Sequence, residues 1–121
     1  MNTLDLFRTE TEAASFSSGD IIFKEGQPGD KMYVVKEGEV EISVKGQIVL
    51  TAGPGELLGE MALIDSVCRS ATATARTDCQ LIPIDEKRFT FLVQQTPFFS
   101  LHVMRILVER LRKMNQLLPP K

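Results

Sequence analysis

From Ala13 to Ile84 the apolar residues come in short runs cut by turn residues; beyond Asp85 they fall at helical spacing. Residues 3–12 hold Leu4, Leu6 and Phe7 among polar residues and read as a short helical lead-in. Ala13 to Phe16 reads as an edge strand, and Ser17-Ser18-Gly19-Asp20 as a turn by composition. Ile21-Ile22-Phe23 is a short strand, closed by a turn over Glu25 to Asp30 with two glycines and a proline. Lys31 to Lys36 is an apolar run with charged flanks, the pattern of a buried strand. After a tight turn at Glu37-Gly38, Val40, Ile42 and Val44 alternate with Glu41, Ser43 and Lys45, a strand with one wet face. Lys45-Gly46-Gln47 turns, Ile48 to Leu50 returns, and Ala52 to Gly55 is a loop. Ala71 to Ala75 alternates alanine with threonine, again a period of two, and Cys79 to Ile84 makes the last strand. Pro83 there implies an edge or a strand end. Turns this frequent indicate an antiparallel β-sandwich or barrel and not a parallel sheet.

Two helices follow. Asp85 is an N-cap for a helix through Phe89, Leu92 and Val93, which Thr96-Pro97 ends. The second runs from near Phe98 to about Leu117, with Leu101, Met104, Val108, Leu111 and Leu118 at three/four spacing and Asn115 in the same series. Ile106, Leu107 and Met114 widen the stripe beyond what one contact with a sheet uses. Either this helix packs on its own sheet alone, or it also pairs with a second copy of itself, with Asn115 setting register.

The chain has 121 residues, one domain's worth, and a net charge of −2, which argues against a nucleic-acid surface. Two cysteines, Cys68 and Cys79, are too few for a disulfide framework, and one histidine, His102, excludes a multi-histidine metal centre. No apolar run reaches the roughly 18 residues of a membrane span, and the N-terminus lacks a signal-peptide pattern, so a cytoplasmic setting is expected.

The chemistry concentrates in Leu58 to Thr72. This stretch holds a glycine, an acid, a short apolar helical run, a loop, and then an arginine followed by small residues. Glu60 and Arg69 are charges in otherwise apolar surroundings, and a buried charge needs a partner. They pair with each other, or each awaits a ligand. A ligand with both a hydroxyl and a phosphate would satisfy both, the carboxylate accepting from the hydroxyl and the guanidinium fork binding phosphate oxygens.

Leu58, Gly59, Glu60, Ala62, Leu63, Ile64, Arg69, Ser70 and Ala71 together resemble the phosphate-binding cassette of the cyclic nucleotide-binding domain family, including its catabolite-activator-like members. Gly26, Gly29-Asp30, the run Met32 to Val35, and Gly38 resemble a second, weaker signature, in which the glycines are expected to serve turn backbone. The resemblance covers residues 13–118. It implies a mainly β domain, an antiparallel β-roll (jelly roll) over 13–84 with the cassette at 58–72, a short cassette helix, and two C-terminal helices over 85–118. It assigns Glu60 to the ribose 2′-hydroxyl and Arg69 and Ser70 to the cyclic phosphate, with Gly59, Met61, Ala62 and Ala71 lining the ligand and backbone N–H groups facing the anion. Cys68 stands where many members have proline.

In the family the last helix closes over the purine, and the matching region here is Arg112 to Asn115. Arg112 can stack on a base and Asn115 can bond its edge. Met114 and Asn115 stand where the catabolite activators carry hydroxyl residues. Ser70, where many cGMP-selective members have threonine, favours cAMP, with cGMP second. No catalytic residue, metal or further cofactor is expected. Little chain is left for a DNA-binding, kinase or channel domain, so output is expected through an unknown effector protein or self-association as a homodimer. Two other classes compete. A jelly-roll metalloenzyme would need several ligating side chains, and a degenerate interaction module would keep the fold but bind nothing.

Overall fold

The computed structural model describes residues 13–60 and 68–117, the last four of these by backbone alone. The lead-in over 1–12 and the cassette helix, with Met61 and Ala62, lie outside the described residues. Eight strands form an antiparallel β-roll: β1 (Ala14–Phe16), β2 (Ile21–Phe23), β3 (Lys31–Glu37), β4 (Val40–Val44), β5 (Gln47–Ala52), β6 (Leu57–Leu58), β7 (Thr72–Ala75) and β8 (Cys79–Asp85). They make two four-stranded sheets, ordered β1-β8-β3-β6 and β2-β7-β4-β5. Helices α1 (Glu86–Gln95) and α2 (Phe98–Leu117) follow.

The first sheet is covered on both faces, which explains the unbroken apolar run in β3. Met32 and Val34 turn toward the helices and join Leu57, Ile82, Ile84, Leu92, Phe99 and Val103 in one core. Val35 turns the other way, into a second core between the sheets with Phe23, Val40, Ala52, Leu58, Ala73, Ala75, Cys79 and Leu81. Full burial of each large apolar side chain contributes roughly 1.5–3 kcal/mol. The small side chains of β7 have their reason here: Ala73 and Ala75 are fully buried against the opposite sheet.

Local signals set the turns and caps. The β4–β5 hairpin turns at Lys45 and Gly46, both at positive φ (51° and 80°), as a two-residue hairpin loop demands. Asp85 caps α1 by accepting from the Arg88 N–H at 2.7 Å. Thr96 closes it, its N–H donating to the Leu92 carbonyl at 2.8 Å.

Three expectations change. The loop expected over Ala52 to Gly55 starts after Ala52, which closes β5, and a short strand not expected from the sequence follows it. Gly55 donates to the Val35 carbonyl, Val35 donates to the Glu56 carbonyl, and the pairing continues as β6 along β3. Pro83 is not on an edge strand, because β8 lies between β1 and β3. The β1 ladder stops at Leu81, so Pro83 falls past its end and pairs only with Tyr33 of β3 among the described residues. Finally, Leu101, Met104, Val108 and Leu111 are not the row of α2 that packs on the roll. That row is Phe99, Val103, Ile106 and Leu107, while the longer stripe faces outward.

Candidate functional site

The site forms where β6 runs out and where the chain returns toward β7, and α2 reaches its β6 side through Arg110. Beyond Leu58, Gly59 takes a φ of 72° and turns Glu60 inward, leaving it 7% exposed. Arg69 is 6% exposed and its backbone is clipped to the β2–β3 turn. Its N–H donates to the Gln27 carbonyl at 2.7 Å, its carbonyl accepts from Gly26 N–H at 2.8 Å, and Pro28 and Cys68 form an isolated bridge. A turn far away in sequence therefore fixes where the guanidinium can reach.

The two buried charges are not paired with each other. Glu60 Oε1 accepts from Arg110 Nη1 at 2.7 Å, and Arg110 Nη2 donates to the Leu57 carbonyl at 2.6 Å. One arginine of α2 thus grips both the acid and the strand that delivers it. Arg69 lies with its guanidinium carbon 4.2 Å from the centroid of the Phe23 ring. Among the described residues it makes one side-chain hydrogen bond, from Nη1 to the Gly59 carbonyl at 3.2 Å, and no ion pair. A guanidinium has five N–H donors, so the described residues take up only a small part of its capacity. Burial lowers its pKa from the usual arginine value, opposed by Tyr33, Asp30 and Glu60 in that order.

Glycine makes room for this arginine. A Cβ on Gly59 would collide with Arg69 Nη1. A Cβ on Gly29 would lie 2.5 Å from Arg69 Cζ and 2.8 Å from its Cδ. Gly26 and Gly38 do serve turn backbone, at φ 87° and 90°. Gly29 does not take a positive φ, and its role is close approach to Arg69.

Of the residues singled out from sequence, the structure gathers Gly59, Glu60 and Arg69. Ser70 is exposed and Ala71 half-buried, both directly following Arg69. Arg112 is exposed on α2, and no hydrogen bond or ion pair links it to the cassette among the described residues. Asn115 lies within α2, but its side chain is outside the described residues. His102 is half-buried on the same helix. Sequence reasoning missed Arg110 and Phe23. Arg110 had a signal: it continues the inward row Phe99, Val103, Ile106 at helical spacing, so a charge there faces the roll. Phe23 had none, being one apolar residue in a short apolar strand.

The cyclic nucleotide-binding domain model matches residues 13–96. The "CRP-like cAMP-activated global transcriptional regulator" of Mycobacterium tuberculosis is 27% identical over 111 residues, covering 88% of this chain and 50% of the regulator. The "cGMP-dependent protein kinase egl-4" of Caenorhabditis elegans is 35% identical over 78 residues, covering 64% of this chain and 10% of the kinase. Among solved structures, the catabolite activator protein of Thermus thermophilus aligns with a TM-score of 0.81 at 29% identity, over 94% of this chain and 56% of that one. The chain thus spans about half the length of the regulators it matches.

Proposed function

The chain belongs to the cyclic nucleotide-binding domain family, and from that premise we propose that it is a cyclic-nucleotide receptor domain without catalysis of its own. The observation that carries this reading is Arg69: a buried guanidinium with one side-chain hydrogen bond among the described residues, walled by two glycines, next to an inward-facing carboxylate. A cyclic phosphate offers acceptors to the guanidinium fork, and a ribose 2′-hydroxyl donates to Glu60. Ser70 and Ala71 continue the phosphate wall. The family resemblance assigns Gly59, Met61 and Ala62 to backbone N–H contacts with the anion. Ser70 favours cAMP, with cGMP second. Arg112 and Asn115, near the end of α2, are the candidates for the purine.

Signal output runs through α2. Arg110 connects that helix to Glu60, so a ligand that rearranges the Glu60 carboxylate changes what holds α2 against the roll. A two-state helix biased by differential contacts is enough to transmit the event. The exposed apolar stripe of α2 receives a second copy of the chain or an effector protein. No helix among the described residues is long and apolar enough to cross a membrane, and a reducing cytoplasm suits the free thiols Cys68 and Cys79.

A second reading, an interaction module that binds no nucleotide, draws on the same ion pair, because Arg110 already satisfies Glu60. Arg69 weighs against it, since no carboxylate among the described residues does the same for that charge.

Thermal unfolding with cAMP, cGMP and linear AMP tests the proposal. Ligand at a hundredfold excess over Kd stabilises the folded state by about 2.7 kcal/mol, or a shift of several degrees for a domain this size. A shift with one cyclic nucleotide, absent with AMP, is expected. No shift with any of them at millimolar concentration would transfer the assignment to the interaction module.

A further inference from the structure

Arg69 presents a physical problem that the phosphate alone does not solve. A long side chain carrying a charge is buried before any ligand arrives, with one side-chain hydrogen bond among the described residues, at 3.2 Å, to hold it. The Phe23 ring faces it, at 4.2 Å from guanidinium carbon to ring centroid. That ring is itself backed by Tyr33, stacked at 6.3 Å with an interplanar angle of 20°. The β2–β7 register shifts between Ile21 and Phe23, and such an irregularity re-aims a side chain. Gly29 and Gly59 wall the guanidinium where any side chain would displace it.

We infer that Phe23 is a positioning residue for Arg69, its ring holding the guanidinium by a cation–π contact in the orientation that receives the cyclic phosphate; this rests on the cyclic-nucleotide reading. The ring's negative face offsets part of the cost of burying the charge without occupying any N–H donor. A carboxylate in the same place would compete with the phosphate for those donors. Arginine also carries about 2 kcal/mol of rotamer freedom. A cation already stacked has lost part of it before the ligand binds. The competing explanation is that Phe23 is only a core residue, since it also packs with Val35, Val40 and Ala73. The two differ in what replaces it. A core role asks for apolar volume, and a positioning role asks for an aromatic face.

The experiment uses the 121-residue chain as wild type, Phe23→Leu and Phe23→Tyr, with cAMP and cGMP affinity measured by titration calorimetry. A ligand-free cycle of Phe23→Leu, Arg69→Gln and the double variant is followed by urea unfolding. Phe23→Leu is expected to weaken cyclic-nucleotide binding about tenfold, the scale of a desolvated cation–π contact, and Phe23→Tyr to stay within about threefold of wild type. In the cycle, the two substitutions are expected to be non-additive by roughly 3–30-fold in the unfolding constant. Wild-type affinity in Phe23→Leu overturns the positioning role and leaves the receptor reading intact. If the wild type binds neither nucleotide, the receptor reading fails. The cycle then decides alone: coupling shows that the ring holds the cation, and additivity overturns it. The cycle also decides if Phe23→Tyr does not fold.

Discussion

Arg110 on α2 holds Glu60 at 2.7 Å while its second amino group holds the Leu57 carbonyl at 2.6 Å. The acid expected to take a ribose hydroxyl is therefore already tied to the helix expected to move. Both partners are mostly buried, at 9% and 22% side-chain exposure. Removing the cation leaves a carboxylate and a carbonyl short of a donor. Arg110→Met is expected to destabilise the ligand-free domain by about 1–3 kcal/mol. It is also expected to uncouple α2, so that ligand no longer changes amide exchange along that helix. Urea unfolding and hydrogen exchange with and without cAMP check both parts. An unchanged unfolding midpoint would mean that the ion pair does not hold α2 to the roll.

Arg69 behaves differently because no carboxylate among the described residues forms an ion pair with it. Arg69→Gln is expected to cost a hundredfold or more in cyclic-nucleotide affinity, on the order of 3 kcal/mol for a charge-assisted, two-pronged phosphate contact. Ligand-free stability should change little, since the substitution also removes a buried charge. Arg69→Lys is not expected to rescue binding, because a point charge does not reproduce a planar fork stacked on a ring. Calorimetric titration of both variants measures this. Full affinity in Arg69→Gln would place the phosphate elsewhere.

The two glycines of the β2–β3 turn separate backbone strain from site geometry. Gly26 has a φ of 87° and open space around its missing Cβ; Gly29 has ordinary φ and the Arg69 side chain against it. Gly26→Ala is expected to lower stability by about 1 kcal/mol and leave affinity alone. Gly29→Ala is expected to do the reverse, leaving stability near wild type while moving the guanidinium and weakening binding about tenfold. Paired unfolding and binding curves distinguish them. Equal affinity loss in both variants would show that the turn acts only through its backbone.

How much of this was legible beforehand follows from the range of each interaction. The strands of the roll could be read because alternation and turn residues are local signals. The exception, β6, is two residues long and exists only because β3 offers it a ladder. Glu60 and Arg69 could be singled out as charges in an apolar stretch. Their partners could not, because Arg110 lies fifty positions from Glu60 along the chain and meets it only once α2 packs on the first sheet. Gly29 looked like turn punctuation for the same reason: its neighbour is an arginine brought there by the clip between Gln27 and Arg69. On α2 the sequence shows two apolar rows, and only the packed structure says which row the roll uses.

The row that the roll leaves out makes the last prediction. Leu101, Met104, Val108 and Leu111 are each at least 39% exposed and spaced three, four and three residues apart, the seam of a two-helix coiled coil. Arg105 and Arg112 each follow a seam residue and flank it on one side. In an antiparallel pair that flank meets itself, setting Arg105 against Arg112. In a parallel pair it meets the other flank, which carries Ser100 and Leu107. Charge therefore favours a parallel, two-fold homodimer. Sedimentation equilibrium is expected to show a dimer for the wild type and a monomer for Leu111→Glu. In a Cys68→Ser background, Leu111→Cys is expected to cross-link to its own counterpart on oxidation, because only parallel pairing brings identical positions together along the whole seam. A wild-type monomer would leave the stripe to an effector protein. A dimer that resists cross-linking at Leu111→Cys would mean that the two helices run in opposite directions.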